Sequence, residues 1–386
     1  MVKLGYIHSN SEEQAKVLRV LKMTSEPVAI DELGIGRIRD AFADLMFPGT
    51  STLQKHIKYF SLMPQLYKKA TEKSYNHKSD VKAEIIRLEK EMTKRLMEGS
   101  PEESGITGIE SIKKDSNSYV KYDPAYIYNS GLITFKILRS PNVHELIYSA
   151  SKKHYKTDDE NAANDAMEKT GLYQFCSFPS VDYDFTKECS LDLTKGDRDF
   201  IVEHILKAED CKDTLLRFLV ENTGLALPQK FEDLPLKKLP ENLSNVQDAA
   251  RRFADFIYMV HVRYNYILSN NEDEDVLNKF NELLESYKNS GTDISSVVDV
   301  VTLRYDDGSK DFCKRLDECI QKDNIRDFDK RIIEREKKVK GNRRKIGNPS
   351  SYAYSKNNRI HYYKLTYRWE VVRKFIEELR KGDENV

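Results

Sequence analysis

Apolar residues recur at intervals of three and four along much of this chain, the spacing that puts them on one side of an α-helix. The clearest run follows Ser244, where Val246, Ala250, Phe253, Ile257, Val260, Tyr264 and Ile267 step by four and three throughout. After the polar break "SNNEDED", Val276, Phe280, Leu283 and Tyr287 continue the pattern. Together they predict an antiparallel helical hairpin, packed within a domain because the run is too short for a free coiled coil. Val81, Ile85, Leu88, Met92 and Leu96 form a similar stripe between Ser79 and Glu98. A basic helix is expected from about Asp327 to Lys340, and a last helix turns Trp369, Val372, Phe375, Ile376 and Leu379 inward.

Start and stop signals divide the N-terminal region. Ser11 and Gln14 have capping-box spacing ahead of a helix to about Met23, and Pro27 bars its continuation. Ile35, Ile38, Phe42 and Leu45 predict a second helix to Met46; Pro48 and Gly49 then make a turn. Ser51 and Gln54 repeat the capping-box spacing before a third helix with Leu53, Ile57 and Phe60 on its apolar stripe. Such a pair is compatible with a helix-turn-helix whose second helix offers Lys55, His56, Lys58 and Tyr59 to a major groove. The reading favoured over it is two core helices joined by a turn, with His56 and Tyr59 buried by another domain.

The middle of the chain alternates short helices with aromatic-rich extended pieces. Leu132 to Leu138 is expected as a strand, "SPNVHELIYSASKKH" as a helix, and the segment ending at Gly224 as two consecutive helices. Three prolines in "ALPQKFEDLPLKKLPEN" exclude a continuous helix or central strand and mark a linker. The expected fold is mainly α and multi-helical, in two or three domains, with a candidate helix-turn-helix and a few short strands. The segmentation is an N-terminal helical domain over 1–110, a mixed middle domain over 111–240, and a C-terminal helical domain over 241–386.

Composition narrows the partners. Of 386 residues, 39% are hydrophobic and 33% charged, and 63 basic residues balance 63 acidic ones, so attraction to an anionic partner has to be local. No run approaches the roughly 18 apolar residues of a membrane helix, and the N-terminus lacks a signal-peptide core, so a cytoplasmic protein without membrane contact is expected. Five scattered cysteines make no disulfide framework, and Cys313 and Cys319, six apart, do not match a zinc site. Reduced, mostly buried thiols are expected.

Catalytic and cofactor signatures are missing. "GIGRIR" puts Arg39 where a dinucleotide fingerprint needs its third glycine, and there is no P-loop. His204 and His261, each on a helix beside apolar residues, read as satisfied structural histidines. "HYKTDDEN", from His154, has Asn161 where a phosphodiesterase pattern needs Asp, and no second copy. Glu336-Lys337-Lys338, with Asp327 and Asp329 upstream, is an acidic-x-Lys triplet of the kind a metal-dependent nuclease uses, but mid-helix; this nuclease is the enzymatic alternative. No metal or cofactor is expected.

Two basic clusters remain. One comprises Arg37, Arg39, Lys55, His56, Lys58, Lys68 and Lys69, interleaved with Tyr59 and Tyr67. The other, "DKRIIEREKKVKGNRRK", holds Lys330, Arg331, Arg335, Lys337, Lys338, Lys340, Arg343, Arg344 and Lys345 against three acidic residues. Clustered cations release counterions from a phosphate backbone, and nearby tyrosines stack on unpaired bases. The expected DNA or RNA contacts are Lys55, His56, Lys58, Tyr59, Arg331, Arg335, Lys338, Arg343, Arg344 and Lys345. The alternative is a solvated helix with internal ion pairs.

"LGYIHSNSEEQAKVLRVL", "DELGIGRIRDAFADLMFPGTSTLQKHIKYF", "EREKKVKGNRRKIGN" and "LTYRWEVVRKFIEEL" resemble a bacterial family known as a domain of unknown function. Members of such families occur beside helicases, phospholipase-D-like nucleases and other genes of anti-phage islands. Taken with the basic clusters, which supply the phosphate grip, the resemblance points to a non-catalytic nucleic-acid-binding or adaptor subunit of a bacterial defence or DNA-processing assembly, with a helicase or nuclease as partner. A pure protein adaptor is the remaining alternative.

Overall fold

A computed structural model describes residues 31–102, 105–114, 119–154, 176–305 and 308–384. The capping box at Ser11, the helix to Met23 and Tyr155 to Asn161 lie outside the described residues. Fourteen α-helices occur among the described residues, which confirms the mainly α, multi-helical class. The first six are α1 (Gly36–Met46), α2 (Tyr59–Thr71), α3 (Lys78–Gly99), α4 (Ile109–Lys114), α5 (Pro124–Thr134) and α6 (Val143–His154). α2 is the hub of this half, touching α3, α5, α6 and α7 (Lys195–Lys207). Enclosure on all sides explains why it is buried continuously from Tyr59 to Tyr67.

The expected strand at Leu132 to Leu138 is replaced by α5 and a turn, leaving among the described residues a single isolated antiparallel bridge, Leu138 to Cys176. Local capping decides this. Asp123 accepts a hydrogen bond from the Tyr126 amide at 2.8 Å, and Pro124 occupies the first helical position, where no amide is needed. Gly131 sits in α5 because a Cβ there would lie 2.4 Å from the Gly49 carbonyl oxygen and 2.6 Å from the Phe60 ring.

After α8 (Leu215–Glu221), the proline-bearing segment makes two 3-10 turns rather than a free linker. Phe231 and Leu234 are buried; Gln247 donates to the Phe231 and Leu234 carbonyls, and Trp369 Nε1 donates to the Pro228 carbonyl at 3.0 Å. The predicted hairpin is present as α9 (Glu241–Leu268) and α10 (Glu274–Ser290). α11 (Ile294–Asp299), α12 (Ser309–Gln321) and α13 (Ile325–Lys340) follow, and α14 (Trp369–Glu384) returns to pack on α7 and α8. α1 packs on α9 and α12, so the buried apolar residues form one cluster from Leu33 to Leu379.

No helix among the described residues is long and apolar enough to cross a membrane. All five cysteines are buried free thiols; burial pushes Cys176 and Cys211 up to about 12 and disfavours the reactive thiolate.

Glu89, on α3, is fully buried, with one oxygen accepting from the Ala125 amide at 2.7 Å and the other without a hydrogen-bond partner among the described residues. Burial first, and the nearby Asp123 carboxylate second, push its pKa well above the ordinary value. The folded carboxyl therefore keeps its proton while the unfolded one ionises, and stability falls as pH rises above about 4.5, the ordinary Glu value. Glu89→Gln is expected to raise the melting temperature at pH 7 and flatten its decline between pH 4.5 and 8, read from melting curves across that range.

Candidate functional site

The stretch offered as a recognition helix does not begin a helix at Ser51. Its amide donates to Gln54 Oε1 at 3.0 Å, but Gln54 turns its amide to the Gly49 carbonyl, and helix starts only at Tyr59. The residues between are held by the far end of the chain. His56 Nδ1 meets Glu378 Oε1 at 2.9 Å, and the Ile57 amide donates to Glu378 Oε2 at 2.8 Å.

Lys58 is buried against Asp197, Nζ to Oδ2 3.5 Å. Burial by itself would raise the Asp197 pKa; Lys58 and hydrogen bonds from Ser61, Tyr183 and Thr194 outweigh it and lower the value. Tyr59 is buried, stacked on Tyr128 at 4.8 Å between centroids, and accepts from the Thr107 amide. Of the four residues assigned to a groove, Lys55 alone is exposed. The geometry is that of packed core elements.

The second cluster divides into core and surface. Arg335 is buried and donates to the Leu33 and Gly34 carbonyls. Gly34, at φ +64°, allows this approach, since a Cβ there would stand 2.9 Å from an Arg335 nitrogen. Glu336 is buried and accepts from Tyr264 Oη at 2.7 Å and from the Lys345 and Ile346 amides, so its carboxylate serves the fold. Among the described residues no group of three or more His, Cys, Asp or Glu side chains is placed to hold a metal ion. Lys330 and Arg331 reach Glu334 and Asp327 along α13.

Lys337, Lys338 and Arg343 are exposed, Arg344 is half-buried, and none has an acidic partner among the described residues. Arg37, from the first cluster, lies 3.4 Å over the ring of Tyr305, which is 59% exposed. A Cβ at Gly308, three residues on, would stand 3.8 Å from Lys338 Nζ, so the structure brings Arg37, Tyr305 and Lys338 to one neighbourhood. Three extended residues reach at most about 11 Å.

A buried polar centre, which sequence reasoning missed, lies beneath these cations. Glu32 meets His361 Nε2 at 2.7 Å, is bonded by Lys345 Nζ, and has Lys340 Nζ at 3.9 Å. Burial alone would raise the Glu32 pKa; hydrogen bonds from His361 and Lys345 overcome it and bring it to about 2. Asn265 on α9 fixes the neighbouring chain reciprocally, donating to the Ile360 carbonyl and accepting from its amide, both at 2.7 Å. One helical turn before Asn265, His261 places its ring 5.1 Å from that of His361.

His261 is 2% exposed, and neither ring nitrogen has a hydrogen-bond partner among the described residues, unlike the satisfied histidine expected there. Burial, then the neighbouring His361, lowers its pKa to about 3, so the ring is neutral. His361, Tyr367 and Arg368 have φ of +46°, +50° and +67°, left-handed conformations that cost non-glycine residues energy and concentrate at functional sites. The sequence signal was the four-residue spacing of His261 and Asn265 within an otherwise apolar helical face.

A family model described as a family of unknown function, DUF6361, matches residues 1–280. The chain belongs to this family. No curated protein and no solved structure matches the chain.

Two substitutions test the division into core and surface cations. Lys58→Ala leaves Asp197 buried without its counter-charge and is expected to cost about 3–5 kcal/mol of unfolding free energy, against less than about 0.5 kcal/mol for Lys55→Ala. Glu32→Gln is expected to cost about 3 kcal/mol near neutral pH. Because the folded pKa is depressed to about 2, wild-type stability drops as pH falls from 4.5 toward 2, and the variant lacks that drop. Denaturant titrations at several pH values measure both.

Proposed function

We propose that this protein is a non-catalytic nucleic-acid-binding subunit of an anti-phage defence or DNA-processing assembly, gripping phosphate with the surface where α13 ends. The observation that carries the reading is the group of exposed Lys337, Lys338 and Arg343 with half-buried Arg344, all without acidic partners among the described residues. Lysines in the last turn of a helix also favour its dipole, which accounts for Lys337 and Lys338 but not for two arginines beyond the helix end. Arginine's planar fork suits phosphate oxygens, and the Arg37 and Tyr305 stack adds an aromatic platform nearby. Lys55, His56, Lys58 and Tyr59 contribute no joint contact in this reading, nor does buried Arg335. The placement in a defence assembly, with a helicase or nuclease as partner, rests on the family resemblance of the sequence.

The test is binding of labelled duplex and single-stranded DNA across a salt series, with and without magnesium. Salt-dependent binding without cleavage is expected. Charge reversal of Arg343 and Arg344 should weaken binding and reduce the slope of log affinity against log salt by about 2 for duplex DNA. Magnesium-dependent cleavage lost on Glu336→Ala would favour a nuclease instead, and absence of binding at low salt would leave a protein adaptor.

A further inference from the structure

From Lys337 to Trp369 the chain carries no aspartate or glutamate, although acids and bases balance over its whole length. Lysine and arginine recur through this run, together with Tyr352, Tyr354, Tyr362, Tyr363 and Tyr367. Much of it serves the fold. Lys356 pairs with Asp275, Arg359 with Asp273 and Lys364 with Asp255, and buried Tyr367 donates to the Ala250 carbonyl at 2.7 Å. Tyr354 donates to Asp273, and Tyr362 packs on Tyr258 with ring centroids 5.9 Å apart.

Tyr363 is different. It is 60% exposed, yet held at its polar end: the hydroxyl meets His361 Nδ1 at 3.2 Å, and Glu32 meets Nε2 of the same imidazole at 2.7 Å. Tyr305, 59% exposed, is held by Arg37 against one face of its ring. The other large apolar side chains exposed among the described residues, Leu45, Val300 and Ile333, reach only 40–42%, so these two rings are the most open. Both adjoin the cations at the end of α13. Lys338 leads to Tyr305, because its Nζ would stand 3.8 Å from a Cβ at Gly308, three residues after that ring. Lys345 leads to Tyr363, because it directly follows Arg343 and Arg344 and shares Glu32 with His361. A duplex has little use for such rings, since each base face is covered by its neighbours, whereas an unpaired strand presents base faces beside its phosphates.

We infer that this surface is built for single-stranded nucleic acid: Tyr305 and Tyr363 each stack on an unpaired base, while Lys337, Lys338, Arg343 and Arg344 hold the phosphates. The inference rests on the nucleic-acid reading and deepens it by naming the form of the strand. Every base has a ring face, so little sequence preference is expected. DNA and RNA strands share this chemistry, and the experiment separates them.

The experiment is a binding titration of the full chain, across a salt series, with a labelled DNA strand, the RNA strand of the same sequence, an abasic DNA strand of equal length and the corresponding DNA duplex. At least one of the two normal strands is expected to bind about tenfold or more tightly than either the abasic strand or the duplex, a factor that one or two stacked bases supply. Tyr305→Leu and Tyr363→Leu are each expected to weaken strand binding about five- to tenfold, and by the same factor at every salt concentration. Stacking releases no counterions, so the slope of log affinity against log salt stays as in the wild type, unlike that of the arginine reversals. Duplex binding and the melting temperature should not change. Tyr305→Phe and Tyr363→Phe keep the ring and are expected to keep the strand affinity.

Normal strands that bind no better than the abasic strand or the duplex overturn the stacking and leave the phosphate grip standing. Leucine variants that bind the normal strands as the wild type does have the same meaning. Absence of binding to all of the probes instead overturns the grip itself, and the stacking with it. Should Tyr363→Leu lower the melting temperature through its His361 contact, Tyr305→Leu and the abasic comparison on the unaltered protein still decide.

Discussion

Glu32 is sequestered from solvent, and its carboxylate is gathered by Lys345 and His361 with Lys340 at longer range. An isolated carboxylate in that position would be driven to protonate, so the charge persists because several donors reach it together. Those donors come from the end of α13, the turn after it and the segment before α14. Holding Glu32 also fixes the adjoining backbone, where Leu33 and Gly34 accept from Arg335 and where α1 begins. The positions of α1 and of the His361 segment both lean on one buried charge.

Helix α13 divides its cations by face. The inward side spends Arg335 and Lys340 on the N-terminal segment, with Phe328 and Ile332 in the core, while Lys337 and Lys338 remain in water. Arg263 on α9 clamps Asp329 with two 2.7 Å bonds, and Tyr264 beside it donates to Glu336, so the helix cannot rotate to exchange one face for the other. A rigidly presented basic surface loses little side-chain and backbone freedom when it meets a phosphate array, whereas a fluctuating one would give up part of its binding energy to ordering.

Periodicity made α3, α9, α10 and α14 legible, because each buries one stripe and the stripe is written locally. Ile35, Ile38 and Phe42 turned inward on α1 as expected, although Leu45 is 41% exposed and Ala43, Met46 and Phe47 complete the buried face. The strand expected at Leu132 to Leu138 failed because the Asp123 and Pro124 start signal outweighed a short β-branched run. The third helix started late because His56 and Ile57 are bound by Glu378, a partner more than 300 residues away that no local pattern encodes. The same limit hid the polar centre: nothing near Glu32 or His261 in the sequence names His361. A run of basic residues likewise does not say which members point inward.

The long-range closures also set an order in time. His56 meets Glu378 across 322 positions, Thr50 accepts from Arg368 across 318, and Leu33 accepts from Arg335 across 302. On the ribosome, the N-terminal helices emerge long before those partners are made, at about 5–20 residues per second. For many seconds the 50–58 loop and the 31–35 segment lack the groups that satisfy them in the finished protein, and apolar surface that α14 will cover stays open. Release of the last helix is therefore the event that completes the first, and a nascent chain of this protein passes through an interval of dependence on whatever shields exposed segments in its host.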